Sequence, residues 1–184
     1  LGQLLDAADQ LGILDNTYII YTADNGTYPT TDPENINGPL RGSKATLWEA
    51  GVRVPMMISG PGIKAGSLSR QKAVGYDILP TICDIVGIHD LDERVEGGSL
   101  LPALYETGPV TRPRDELYFH WPHYQHQKLS KPDSTIIDGD YKLHYFWESG
   151  EMQLFNLADD LAETNNLAET NPRKAAEMNT KLKQ

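Results

Sequence analysis

The chain has 184 residues, 39% of them hydrophobic, and a formal net charge of −10. That acidic balance excludes general nucleic-acid binding, which needs a basic face to neutralise phosphates. No apolar run approaches the roughly 20 residues of a membrane-spanning helix. The single cysteine, Cys83, cannot form an internal disulfide. It sits in an apolar helical pattern and is expected to be a small buried hydrophobe.

Leu1, Leu4, Leu5, Ala8 and Leu11 recur at helical spacing, with Gly12 as the expected C-cap. The chain therefore opens in mid-helix, with neither an initiator Met nor a signal peptide. It reads as a piece of a longer protein. Asp15-Asn16 turns it into a strand over Thr17–Thr22, and helix followed by buried strand is the αβ half of a parallel-sheet unit.

The run Ile19-Ile20-Tyr21-Thr22-Ala23-Asp24-Asn25-Gly26 is apolar and β-branched until it stops at an acid, an amide and a glycine. In α/β domains ligands bind beyond the carboxyl ends of the strands. Asp24 and Asn25 offer one anionic and one neutral oxygen, the mix that hard cations such as Ca2+ or Mg2+ prefer. Asp-Asn-Gly is also a turn signal. A hairpin would need a second alternating run straight after it, and Thr27 to Gly38 has none. The strand end is expected to face a long irregular loop, the kind of place where sites are built. Asn25-Gly26-Thr27 also matches a glycosylation acceptor, but an amide that ligates a metal in a pocket would not be open to a glycan.

From Pro39 to Pro55, Arg41, Lys44 and Arg53 form a positive island in an acidic chain. Glycines there let backbone come near a ligand, and the cations would suit an oxyanion. The segment is not a P-loop, because Ser43 precedes Lys44 and Ala45 follows it. A solvated surface loop is the alternative. Arg53, just ahead of a strand, is expected to be a buried ion-pair partner.

Val54–Ser59 predicts a second strand, apolar enough to be buried on both faces. Tyr76–Val86 predicts a helix with Pro80 in its first turn and Gly87 at its end. Leu100–Tyr105 is a short helical or irregular segment. A subdomain boundary falls in the Gly-, Pro- and Thr-bearing stretch Glu106–Arg114. Beyond it, Glu116–Phe119, Thr135–Ile137, Tyr141–Phe146 and Met152–Leu157 predict strands, and Asp138-Gly139-Asp140 a hairpin turn. Asn171 and Pro172 are the N-cap and first residue of a helix ending at Leu182.

His120, His123 and His126 form a His-x-x-His-x-x-His run with Trp121 and Tyr124. Pro122 would break the helix needed to bring that spacing onto one face, so the run is weak as a metal site. His120 or His123 could contact a sugar or aryl substrate, or serve surface and packing roles. His144 alternates within a strand and reads as structural.

Several signatures coincide in order and spacing. They are Thr22-Ala23-Asp24-Asn25-Gly26, Pro39-Leu40-Arg41-Gly42-Ser43-Lys44, Trp48-Glu49-Ala50-Gly51-Val52-Arg53-Val54-Pro55 and Asp77-Ile78-Leu79-Pro80-Thr81. Asp138-Gly139-Asp140-Tyr141-Lys142-Leu143, Leu154-Phe155-Asn156-Leu157 and Glu163-Thr164-Asn165-Asn166-Leu167 complete them. Together they resemble the carboxyl-terminal half of a formylglycine-dependent, arylsulfatase-like sulfatase. The resemblance implies an α/β fold: an alkaline-phosphatase-like α/β/α part-domain over residues 1–105, then a small antiparallel β-sheet subdomain with a C-terminal helix over 106–184. It implies that Asp24 and Asn25 are two ligands of a divalent metal, usually Ca2+, and that Lys44 is a catalytic contact of the sulfate group. Ser43, Ala45 and Ala50 stand where the family commonly has glycine.

The family's nucleophile is a formylglycine made from a Cys/Ser-x-Pro-x-Arg motif. Cys83 precedes Asp84, Ile85 and Val86, so it is not that residue. Nucleophile, paired acidic metal ligands and early Lys and His are expected upstream. The intact enzyme is expected to hydrolyse sulfate esters, of aryl alcohols or carbohydrates, in a periplasmic or extracellular compartment. The chain alone is expected to be inactive and to self-associate through its truncated surface. A phosphoesterase or phosphonate hydrolase of the same superfamily, or a non-catalytic binding module, are the alternatives.

Overall fold

A computed structural model describes residues 1–28, 37–124 and 131–184. In chain order its elements are α1 (Gly2–Gln10), β1 (Ile19–Thr22), α2 (Glu49–Val52), β2 (Met56–Ser59), α3 (Ile78–Ile85) and α4 (Leu101–Leu104). They continue with β3 (Leu117–Trp121), β4 (Asp133–Asp138), β5 (Tyr141–Phe146), β6 (Met152–Asn156) and α5 (Pro172–Leu182). The chain forms two compact units. One holds Leu1–Thr22 and Pro55–Arg114, the other Ala23–Val54 and Asp115–Gln184.

In the first unit, α1 ends as expected at Gly12, which takes φ +66 where a Cβ would be strained. β1 pairs with β2 antiparallel, Ile19 opposite Ser59 and Thr22 opposite Met56. The sequence pattern places β1 in a parallel-sheet unit; its neighbour among the described strands, β2, is antiparallel to it. Parallel neighbours need a crossover that returns the chain to the starting end, whereas this connection delivers β2 at the end where β1 stops. β2 is also not buried on both faces. Met56 and Ile58 are half-buried and Met57 is 56% exposed. α3 is preceded by a 3-10 turn over Gly75–Asp77, and Cys83 is half-buried rather than buried. The buried Asp77 carboxylate ties the unit together. It accepts from the Gly98 N–H at 3.0 Å and from the Arg112 guanidinium at 2.8 and 2.6 Å.

The second unit is built on an antiparallel sheet in the order β3-β4-β5-β6. β4 and β5 meet across a two-residue turn with Asp138 opposite Tyr141, and Gly139 there takes φ +57. That is the first turn position, where type II′ hairpins carry glycine. Successive strand residues point to opposite faces. On one face Ile136, Leu143 and Leu154 pack against Ala175 and Met178 of α5. Asn171 caps α5 by accepting from the Lys174 N–H at 3.4 Å. The other face carries Lys142, His144 and Phe155, all buried, and it is covered by the segment around Trp48 and Glu49. Both faces of β4 and β5 are therefore dry, although the β5 sequence alternates as if one face were wet.

Candidate active site

Asp24 and Asn25 follow directly on the carboxyl end of β1. Three backbone hydrogen bonds then fix the turn that holds them. The Gly26 N–H donates to the Gly51 carbonyl at 2.9 Å, the Lys44 N–H to the Thr27 carbonyl at 2.9 Å, and the Ala50 N–H to the Arg41 carbonyl at 2.9 Å. The strands of chain approach so closely that a Cβ on Gly26 would lie 1.7 Å from the Ala50 carbonyl oxygen, and one on Gly51 2.0 Å from that of Thr46. Only glycine fits either place.

Lys44 lies between a braced residue and a strained one. Ser43 is buried, and its N–H and carbonyl both bond the Thr46 hydroxyl, at 3.2 and 2.8 Å. Ala45 takes φ +67, a left-handed conformation that costs a non-glycine residue roughly 1–2 kcal/mol. It stands where the resemblance leads one to expect glycine, and the backbone adopts the conformation glycine would favour. Asp24 and Lys44 are exposed, and Asn25 is half-buried. Among the described residues, none of these three side chains takes a hydrogen bond or ion pair.

Beneath this segment lies a cluster of charge that sequence reading missed. The Lys142 ammonium is fully buried and sits 3.0 Å from Glu49 Oε1 and 3.0 Å from Glu163 Oε1. Glu163 Oε2 accepts from the Glu49 N–H at 2.6 Å, and its carbonyl accepts from Arg41 Nη1 at 3.0 Å. His144 presents Nε2 to Glu163 at 3.0 Å and Nδ1 to Asp133 at 3.2 Å. Trp48 is held between the Arg41 guanidinium, 3.6 Å from its ring centre, and the His144 ring at 4.1 Å.

Burial alone would push the Glu163 carboxyl up. The hydrogen bond from His144, the charge of Lys142 and the Glu49 N–H outweigh it and hold the carboxyl below the ordinary glutamate value. Arg53 pairs with Glu49 at 2.5 Å as expected, but its side chain is 49% exposed, so the arginine is not buried. Its long stem lets the guanidinium reach water while its Nε bonds the buried carboxylate.

His144 is structural, as expected. His120 is exposed, with Nδ1 2.6 Å from the Ser134 hydroxyl and its ring edge-on to Trp147. His123 is also exposed and meets Trp121 edge to face at 5.5 Å. Their contacts are with the sheet and its flanks. His126, the third member of the run, lies outside the described residues, as does part of the loop after Tyr28. Among the described residues no three His, Cys, Asp or Glu side chains converge as a metal-binding group. Asp24 and Asn25 bring hard oxygen donors suited to Ca2+, two of the six to eight it takes.

The α/β part followed by a four-stranded antiparallel sheet and a helix is the alkaline-phosphatase-like architecture of the sulfatases. A solved complex of a protein with its substrate D-glucosamine-2-N,6-O-disulfate superposes with a TM-score of 0.79 at 28% identity, covering 99% of this chain and 36% of that one. The chain belongs to the family described as N-sulphoglucosamine sulphohydrolase, C-terminal, which it matches over residues 43–184. It is 35% identical to a sulfatase of Formosa agariphila, over 94% of this chain and 33% of that protein. It is 30% identical to an N-acetylglucosamine-6-O-sulfatase of Bacteroides thetaiotaomicron, over 91% of this chain and 29% of that protein. The chain thus spans about a third of the length of these relatives.

Proposed function

We propose that the protein containing this chain hydrolyses sulfate esters, and that Asp24, Asn25 and Lys44 form one wall of its active site. The observation that carries this reading is the backbone bond from Lys44 to Thr27, which joins the lysine's loop to the turn bearing the acid–amide pair. Asp24 and Asn25 would hold a divalent cation, Ca2+ by family resemblance, through one carboxylate and one amide oxygen. When bound, the cation supplies Lewis acidity on the sulfate oxygens, and a formylglycine expected outside this chain supplies the attacking oxygen. Lys44 places its ammonium against a sulfate oxygen and offsets charge there as the ester bond breaks. The glycine contacts at residues 26 and 51 keep these groups in one arrangement before substrate arrives.

The substrate is a sulfated small molecule or glycan. Support comes from the two relatives just described and from the disulfated glucosamine in the similar complex. His120 and His123, exposed beside Trp147 and Trp121, would contact the alcohol or sugar portion. The compartment is periplasmic or extracellular by the same family reading; no described helix is long and apolar enough to cross a membrane.

The test is turnover by the full-length protein of 4-nitrophenyl sulfate, of sulfated glucosamine and of the matching phosphate esters. Lys44→Ala should lower kcat on the sulfate ester by about 10²–10³-fold, the usual loss for one oxyanion-stabilising group. Hydrolysis of phosphate esters alone, or full activity in the variant, would overturn the reading.

A further inference from the structure

The Glu49, Lys142, Glu163, His144 and Asp133 cluster has no part in the chemistry just described. Fully buried charges are costly to desolvate, and replacing them with apolar residues often does no harm to stability. Their presence in a dry interior is therefore weak evidence for a role in stability alone. Two features point to another role. The cluster bonds main-chain and side-chain groups of the segment that carries Lys44, through the Glu49 N–H, the Glu49 carboxylate and the Arg41 guanidinium. Its hub, Glu163, is fully buried and takes φ +54, a left-handed conformation held by a non-glycine residue. Such strain persists only where surrounding contacts over-determine it, and it gathers at functional sites.

We propose that Glu163 and Lys142 are positioning residues for Lys44, a role that rests on the sulfatase reading of that lysine. The path is continuous. Lys142 and His144 project from β5 and hold the Glu163 carboxylate. Glu163 fixes the first residue of α2 through the Glu49 N–H and fixes Arg41 through its carbonyl. The Arg41 carbonyl receives the Ala50 N–H, and the Gly51 carbonyl receives the Gly26 N–H beside Asn25. Lys44 lies between those two clamps. The acids facing the cluster are Glu49, Glu163 and Asp133; the bases are Lys142, Arg53 and His144, with Arg41 on the Glu163 carbonyl. Each ring nitrogen of His144 faces a carboxylate, Asp133 at Nδ1 and Glu163 at Nε2.

The deciding variants are Glu163→Gln, which keeps shape and removes charge, and the charge-balanced pair Lys142→Met with Glu49→Gln. In either folded variant, amide exchange at Gly26 and Lys44 should quicken by at least ~10-fold, while exchange within β4 and β6 stays near wild type. In the full-length enzyme kcat should fall by ~10-fold or more with KM little changed. In a Lys44→Ala background the same change should cost less than about twofold, because groups acting as a unit are non-additive. Unchanged exchange at Gly26 and Lys44 in a folded variant, or a fully multiplicative loss with Lys44→Ala, would overturn the proposal. If the full-length protein hydrolyses no sulfate ester, the exchange readout still decides whether the cluster holds the loop, and only the sulfatase reading fails.

Discussion

At the scale of single residues, the site depends on where a Cβ is absent. Gly26 lies against the Ala50 carbonyl with no room for a methyl group. Gly26→Ala should cost at least about 3 kcal/mol, the upper end of overpacking, because the clash is with backbone that cannot turn aside. Urea unfolding of the chain measures this, and a variant as stable as wild type would show that the turn and the Ala50–Gly51 backbone do not meet. Asp24, Asn25 and Lys44 stand out in the sequence as candidates because their chemistry is unusual for their place: an acid–amide pair at a strand end, a lysine in a small-residue loop. Glu163, Glu49 and Lys142 do not. Charged side chains are almost always on the surface, and nothing local in the sequence marks these as buried partners.

At the scale of elements, the four-stranded sheet is the platform. Its hairpin was legible because Asp138-Gly139-Asp140 supplies glycine where a two-residue turn needs positive φ. Its second covered face was not. Lys142 and His144 alternate with Leu143, and in sequence that reads as one dry and one wet face. The pairing of β1 with β2 was equally hidden, since strand direction depends on where the 33 residues between them (23–55) return the chain, which no local pattern states.

The dry polar face has a consequence for acid stability. The Glu163 carboxyl lies below its ordinary value of 4.5 because His144, Lys142 and the Glu49 N–H outweigh its burial. The unfolded chain therefore takes up the proton at a higher pH than the folded one. Stability from Glu163 is complete above the ordinary glutamate range and is lost as pH falls through its lowered folded value. Urea midpoints measured downward from pH 7 should fall below about pH 4.5, and Glu163→Gln should flatten that part of the curve. An unaltered profile in a folded variant would mean that Glu163 is not held as a carboxylate.

At the scale of the whole chain, the two units differ in how much apolar surface they bury. The second unit encloses Ile136, Leu143, Leu154, Phe155 and Met178, all at 0–1% exposure. The first leaves Leu4, Leu11, Met57, Leu79 and Val86 more than half exposed. Large apolar surface of this kind marks a contact face or an aggregation liability. The isolated chain should self-associate, with a scattering mass that rises with concentration. A constant monomer mass at high concentration would mean that this surface is not sticky.

The most direct test of the proposed site is an anomalous-difference map from crystals of the full-length protein grown with Ca2+ and sulfate. The expected map puts one Ca2+ about 2.3–2.6 Å from oxygens of both Asp24 and Asn25, with the Lys44 ammonium against an oxygen of a sulfate bound beside it. A cation bound without Asp24, or a sulfate held at a distance from Lys44, would contradict it.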